Sequence, residues 1–425
     1  MKFYNISDRN ETVSFQEGVI RGSGSGKGLF FPARIPDINL DKIINASFGS
    51  LPELAAFVLD EYVNEDFSGN ELNDICHSAF NFPIPLVEVE EKLFVLELFH
   101  GPSLAFKDVG ARFLSEVLRK MAIDKGQKIT VLVATSGDTG SAVAKSFYKV
   151  EGVQVVLLYP SGKVSLLQEK SLTTMGHNIH ALEVEGTFDD CQQLVKQAFA
   201  DKQLNQVLQL TSANSINIGR FLPQIVYYFW AWKQLSREQQ ATPLFSVPSG
   251  NYGNLSAGIL ARKMGLPVQQ FIAASNVNRV VPDFLDSGDY VLRPAVSTYS
   301  NAMDVGNPSN FVRLNELCEG SLQIMRSFIS SHVATDDEVL EAISQLYTKH
   351  GYLADPHGAI GYLGAKQYAA GNSATIFLET AHPAKFKPTV EKAIHTEVEL
   401  PAYLKDIKNK KKKATRMPAE FDAFK

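Results

Sequence analysis

The sequence predicts an α/β fold, with parallel sheets covered by helices behind a mainly helical N-terminal region. Three observations predict it. From about residue 128 onward, short apolar runs rich in β-branched residues alternate with helix-length amphipathic stretches, the pattern of strands that pair in parallel beneath covering helices. Residues 1 to about 90 lack that alternation and hold amphipathic helix candidates, such as 51–62, split by short polar turns. The chain has 425 residues, 45% of them hydrophobic and 20% charged, enough to bury a large core in two or three domains.

The run 129–134 is short and apolar, which predicts a buried strand. A glycine-rich turn follows it, then a helix over 141–148. Further strands are predicted over 153–159, 180–184, 207–210, 244–247, 270–274 and 375–378, with helices over 165–175, 188–199, 221–232 and 255–264. No repeat of fixed period is visible, which excludes solenoids and propellers. In parallel sheets ligands bind beyond the carboxyl ends of the strands, so the glycine-rich loops after strands are where a site is expected.

Composition excludes several functions. The formal net charge of -5 offers no electrostatic footprint for nucleic acid. The basic cluster 408–413 has no interleaved aromatics and reads as a solvated helix end or tail. Cys76, Cys191 and Cys318 are far apart and form no metal-like pair; free thiols in a reducing compartment are expected. His177 and His180 share a spacing compatible with a helix face but lack a third ligand, so no metal site is expected. The N-terminus has no apolar signal core, and no apolar stretch approaches the roughly 20 residues of a membrane span. A cytoplasmic protein with no nucleic-acid or membrane partner is the expectation.

The most informative stretch is Glu97-Leu98-Phe99-His100-Gly101-Pro102-Ser103-Leu104-Ala105-Phe106-Lys107-Asp108. It sets one lysine after a Gly-Pro turn and an apolar triplet, beside an acid. That setting predicts a partly desolvated amine, and only a neutral amine attacks a carbonyl to form a Schiff base. On its own a solvated surface lysine explains Lys107 as well.

Other segments answer it. The loop Ser249-Gly250-Asn251-Tyr252-Gly253-Asn254 lies between a predicted strand and a helix start, where backbone amides and the helix N-terminus cradle an anion. It has no lysine and no Gly-Lys-Ser pattern, so a single phosphate monoester fits it better than a nucleoside triphosphate; a plain strand-helix turn explains it equally. Ala134-Thr135-Ser136-Gly137-Asp138-Thr139-Gly140-Ser141 offers hydroxyls and amides at another helix start, a nest for a carboxylate or a simple N-cap. Asn214-Ser215-Ile216-Asn217-Ile218-Gly219-Arg220 could hold a substrate phosphate through its amides and guanidinium, or be a capped helix with a surface arginine. Thr380 places a hydroxyl at a strand end, where it can bond a neutral ring nitrogen, and His382 before Pro383 reads as structural. The segment 22–28 fails as a P-loop, since Arg21 and Gly28 stand where glycine and serine or threonine are needed; it reads as a flexible loop able to border a site. Taken together, an amine, a phosphate cradle, a carboxylate nest and a strand-end hydroxyl describe pyridoxal phosphate (PLP) with an amino-acid substrate.

These runs, with 301–310, 380–386 and the opening 1–8 and 28–36, resemble the threonine synthase family, bacterial and fungal branch, within the tryptophan-synthase-β-like (fold type II) PLP enzymes. The resemblance spans nearly the whole chain. It implies two parallel-rich α/β lobes over 91–425, the small one (about 128–235) inserted in the larger, after an N-terminal domain over 1–90. It implies that Lys107 carries the cofactor and moves protons, that Gly250, Asn251, Tyr252, Gly253 and Asn254 hold the cofactor phosphate, and that Thr380 faces the pyridine nitrogen. Asp138 stands where wider relatives often carry Asn, against the ring hydroxyl. Thr135, Ser136, Thr139 and Gly140 would grip the substrate carboxylate, and Ser215, Asn217, Arg220 and Lys163 the substrate phosphate. The implied reaction converts O-phospho-L-homoserine and water to L-threonine and phosphate, a lyase step of amino-acid biosynthesis, in a monomer or homodimer. A serine or threonine dehydratase or a cysteine-synthase-like enzyme of the same fold, or a catalytically dead binding protein, are the alternatives.

Overall fold

Among the described residues the fold is built on fourteen strands. A computed structural model describes residues 1–45, 48–135, 137–164, 166–369 and 373–425, the side chain of Asp138 excepted. The strands are β1 (Phe3–Asn5), β2 (Asp8–Val13), β3 (Phe30–Pro32), β4 (Leu86–Glu90), β5 (Leu93–Glu97), β6 (Ile129–Ala134), β7 (Val153–Pro160), β8 (Ile179–Glu185), β9 (Gln209–Ser212), β10 (Leu244–Pro248), β11 (Gln270–Ser275), β12 (Ile329–Val333), β13 (Thr375–Glu379) and β14 (Thr415–Pro418). The larger sheet runs β12-β11-β10-β13-β5-β4, parallel throughout except for the antiparallel edge pair β4–β5. The five-stranded sheet, β14-β8-β7-β6-β9, is wholly parallel. Central strands are buried along their whole length, β6 as Ile-Thr-Val-Leu-Val-Ala and β10 as Leu-Phe-Ser-Val-Pro, because helices cover both faces.

The N-terminal region is mainly helical, as expected, with a small added sheet. It contains the helices Leu51–Val63 and Gly69–Ala79, the second opened by a reciprocal Ser68–Glu71 capping box. It also contains the antiparallel sheet β2-β1-β3. β1 and β3 are three residues each and β2 is mostly exposed, so neither run length nor alternation announces them. The predicted strand 207–210 is shifted: Val207 ends the helix Lys202–Val207, and the strand starts at Gln209. The predicted helix 221–232 is broken into Ile218–Phe221, a 3-10 turn at Leu222–Gln224, and Ile225–Gln234. Pro223 explains the break, having no N–H for a continuous α-ladder.

The basic cluster 408–413 begins as the solvated end of the helix Ala402–Asn409, as expected, and is not a free tail beyond it. Lys412 Nζ lies 2.6 Å from Glu169 and 2.7 Å from Glu183, and the chain then adds β14 beside β8. His177 sits in a turn and His180 in β8, so the two do not share a helix face. All three cysteines are free and buried, and burial raises the Cys191 thiol to about 11 and the Cys318 thiol to about 12. No helix among the described residues is long and apolar enough to cross a membrane.

One core cluster runs from Phe3 and Phe30, through Phe113 on the helix Lys107–Lys125, to Val131 and Phe245 on the two large sheets. Arg313 stitches the same regions together. Its guanidinium donates to Asn310 Oδ1 (2.8 Å), Phe30 O (3.0 Å) and Ile216 O (2.7 Å), and lies 4.4 Å from the Phe221 ring centroid. Complete burial lowers its pKa to about 9. Arg313→Ala removes donors from two carbonyls and an amide oxygen and leaves a void. We expect about 3 kcal/mol or more of destabilisation, read as a lower denaturant midpoint.

Candidate active site

Every segment expected to carry chemistry lies beyond the carboxyl end of a parallel strand. β5 ends at Glu97, β6 at Ala134, β9 at Ser212, β10 at Pro248 and β13 at Glu379. The segments after β5, β6, β9 and β10 contribute to one cavity of about 1370 Å³; Thr380, after β13, is not among its lining residues. Lys107, Thr135, Thr139, Lys163, Ser215 and Asn251 line it. Ser136 and the side chain of Asp138 lie outside the described residues.

Lys107 is the first residue of the helix Lys107–Lys125 and is half-buried. The backbone before it is pinned. Leu104 takes a left-handed φ of 57°, Ala105 bridges Ala381, and Phe106 N–H donates to Thr380 O at 2.8 Å. Thr380, buried at the end of β13, thus sits beside the residue preceding Lys107. Its neighbour Asp108 is fully buried; one oxygen accepts the Ser103 N–H at 2.8 Å, and burial pushes its carboxyl up to about 6.

After β10 the chain turns through 249–252 into the helix Gly253–Lys263, with Tyr252 in the left-handed region at φ 61°. Asn254 closes the turn by donating to Pro248 O (2.7 Å), and the Tyr252 hydroxyl meets Ser275 Oγ at 2.8 Å. The loop amides of Gly250, Asn251, Tyr252, Gly253 and Asn254 meet no acceptor among the described residues. Asn310 Nδ2 is a buried donor without a partner, and a Cβ on Gly253 would lie 3.2 Å from it. Unspent amides at a helix N-terminus beside an orphaned amide nitrogen form a donor set for one anion, so these residues fit the phosphate of PLP.

The loop after β6 is organised by Thr135. Its hydroxyl accepts from Gly137 N–H (3.0 Å) and Gly140 N–H (2.9 Å), at the start of the helix Asp138–Ser146. The amide of Gly140 is therefore bonded within the loop, while Thr139 keeps access to the cavity. Asn217 and Arg220 do not line the cavity. Asn217 accepts from Gly219 N–H (2.9 Å) and donates to Val19 O (2.9 Å) and Ser212 O (2.8 Å). Arg220 is buried against the helix of Lys107, donates to Ala213 O at 2.5 Å, and burial lowers its pKa to about 10. His382 accepts the Ala384 N–H (3.1 Å) as the cap of the turn Pro383–Phe386, and burial lowers its pKa.

Sequence reasoning missed part of the wall. Arg21 and Lys27 reach the cavity from either end of the Gly-Ser segment 22–26, and Lys196 reaches it from the helix Phe188–Ala200. The cationic side chains outnumber the acids Asp189 and Asp304 there. The side opposite Gly250 is the turn Asn301–Met303, followed by 304–307 and Ser309, which donates to Asn251 Oδ1 at 3.1 Å. In the sequence, only the glycines around 22–28 and the family-like run 301–310 point to this border.

Comparison with known proteins agrees with this architecture. The family described as "Pyridoxal-phosphate dependent enzyme" matches residues 79–377, "Threonine synthase N terminus" matches 2–80 and "Threonine synthase, C-terminal" matches 358–425. The chain is 45% identical to a threonine synthase of Serratia marcescens over 95% of this chain and 93% of that protein. Among solved structures it is similar to Escherichia coli threonine synthase (42% identity, TM-score 0.92, 100% and 98% covered). It is also similar to a PLP-bound threonine synthase from Brucella melitensis (35% identity, TM-score 0.94, 99% and 97% covered). The chain belongs to the threonine synthase family of pyridoxal-phosphate dependent enzymes.

Proposed function

We propose that the chain converts O-phospho-L-homoserine and water into L-threonine and inorganic phosphate. The carrying observation is that Lys107 and the anion-seeking turn after β10, through Asn251, face one cavity whose other ionic lining is mostly cationic. Pyridoxal phosphate bound there supplies an electron sink that acidifies carbons near the substrate amino group. The residues of the chain do the rest. The amides of Gly250, Asn251, Tyr252, Gly253 and Asn254 hold the cofactor phosphate, and Thr380 presents an uncharged hydroxyl to the ring nitrogen. Lys107 Nζ carries the cofactor, then accepts and returns protons at the substrate carbons, a role typically worth about two to four powers of ten per step. Thr139 binds the substrate carboxylate, in a loop that Thr135 holds in shape for it.

For the substrate phosphate we propose Lys163 and Ser215 as direct ligands, with Lys27 across the cavity as a further cation. Asn217 and Arg220 shape the Ser215 loop from behind. Lys163→Ala is expected to raise KM for the phosphorylated substrate by roughly tenfold with a smaller change in kcat, as loss of one charge-assisted contact predicts. The deciding assay is phosphate release from O-phospho-L-homoserine with the amino-acid product identified. Threonine formed in step with phosphate supports the proposal; turnover of L-serine with no phosphate release overturns it.

A further inference from the structure

Behind the turn Asn301–Met303 lies a buried polar chain that does not touch the cavity. Glu379, at the end of β13, accepts the Asp355 N–H on Oε1 at 2.6 Å. Asp355 caps the helix Pro356–Tyr368: its Oδ1 accepts the Gly358 N–H (2.7 Å) and its Oδ2 lies 2.6 Å from His357 Nδ1. His357 Nε2 then accepts the N–H of Ala302 at 3.2 Å. Facing a carboxylate on one side and an amide N–H on the other, the ring donates from Nδ1 and accepts at Nε2. Asp355 is 0% and His357 2% exposed, so water does not substitute for the bonds between them; Ala302 itself lies on the exposed turn that lines the cavity.

The far side of the turn presses on the cofactor loop. A Cβ on Gly250 would lie 2.9 Å from both Ala302 O and Met303 Cα. At the other end, a Cβ on Gly358 would fall 1.5 Å from Glu379 Oε2, so the helix start is packed against the strand end without slack. One continuous set of contacts thus runs from Glu379, the strand end just before Thr380, through Asp355 and His357, to Ala302 and the Gly250 loop.

We infer that Asp355 and His357 are positioning residues that hold the 301–303 turn against the Gly250 loop and thereby fix the phosphate cradle. The inference rests on the PLP reading for its consequence, not for its geometry. His357→Asn keeps a donor near Nδ1 for Asp355 and removes the acceptor for Ala302. His357→Gln returns an acceptor near the Nε2 position. In H357N the amide of Ala302 should exchange its hydrogen roughly tenfold faster and the apparent PLP dissociation constant should rise roughly tenfold, the size of one net hydrogen bond. H357Q should recover most of both. A merely structural histidine gives no such split. Unchanged exchange and PLP affinity in H357N, or an H357Q that falls as far as H357N, overturns the inference. Should H357N fail to fold, A302P removes the same N–H from the cavity side, and wild-type PLP affinity in that variant sinks the idea. Wild-type protein that takes up no PLP overturns the functional reading instead, and the exchange comparison still decides whether His357 holds the turn.

Discussion

Lys107→Ala should reduce turnover by about four powers of ten and abolish the visible absorbance of the lysine-bound cofactor. The expectation combines two losses. On the proposed role of Lys107, the covalent anchor disappears, and with it the amine that shuttles protons at the reacting carbons, a step worth about two to four powers of ten on its own. The Lys107 side chain is half-buried at the start of a 19-residue helix, and its backbone position is set by Leu104, Ala105 and Phe106, so truncation leaves the fold in place. The variant should unfold at nearly the wild-type denaturant concentration. A folded Lys107→Ala protein that keeps the band, or keeps a borohydride-fixable cofactor, means that another amine holds it.

Gly250→Val tests the proposed phosphate anchor. The first added carbon already meets backbone atoms of Ala302 and Met303 at 2.9 Å, and neither is the far end of a flexible side chain. Either the 250–254 turn or the 301–303 turn must move. Overpacking of this kind costs about 1–3 kcal/mol, which predicts PLP affinity some 10- to 100-fold weaker. Equilibrium titration of the apoenzyme with PLP measures it. Excess PLP should restore part of the activity in Gly250→Val and none in Lys107→Ala, which separates loss of binding from loss of chemistry. Full affinity in Gly250→Val would mean that the loop does not carry the cofactor phosphate.

The glycine-rich turn after β10 could be read from the sequence because its backbone chemistry is written in residue types: glycines, a short apolar strand before it and a helix after it. Lys107 was legible for a similar reason, as one polar residue closing an apolar run. Arg220 marks where that reasoning stops. A guanidinium suits a phosphate wherever it points, and nothing in its neighbours tells that this one turns inward to Ala213 O beneath the helix of Lys107. Asn217 is similar, since its amide is spent on nearby Ser212 O and on Val19 O, a partner far away in the chain. The sheet of β1, β2 and β3 and the edge strand β14 escaped notice because short or polar strands draw their order from partners distant in sequence rather than from their own pattern. Arg21 and Lys27 join the cavity by the same long-range logic.

The three sequestered sulfurs make the native molecule a dark background for maleimide dyes, since thiolate is scarce where burial disfavours it. A single cysteine introduced at Gln209, an exposed residue lining the cavity, would then be the one site such a reagent labels. Its fluorescence would report ligand entry without any prior removal of native sulfhydryls.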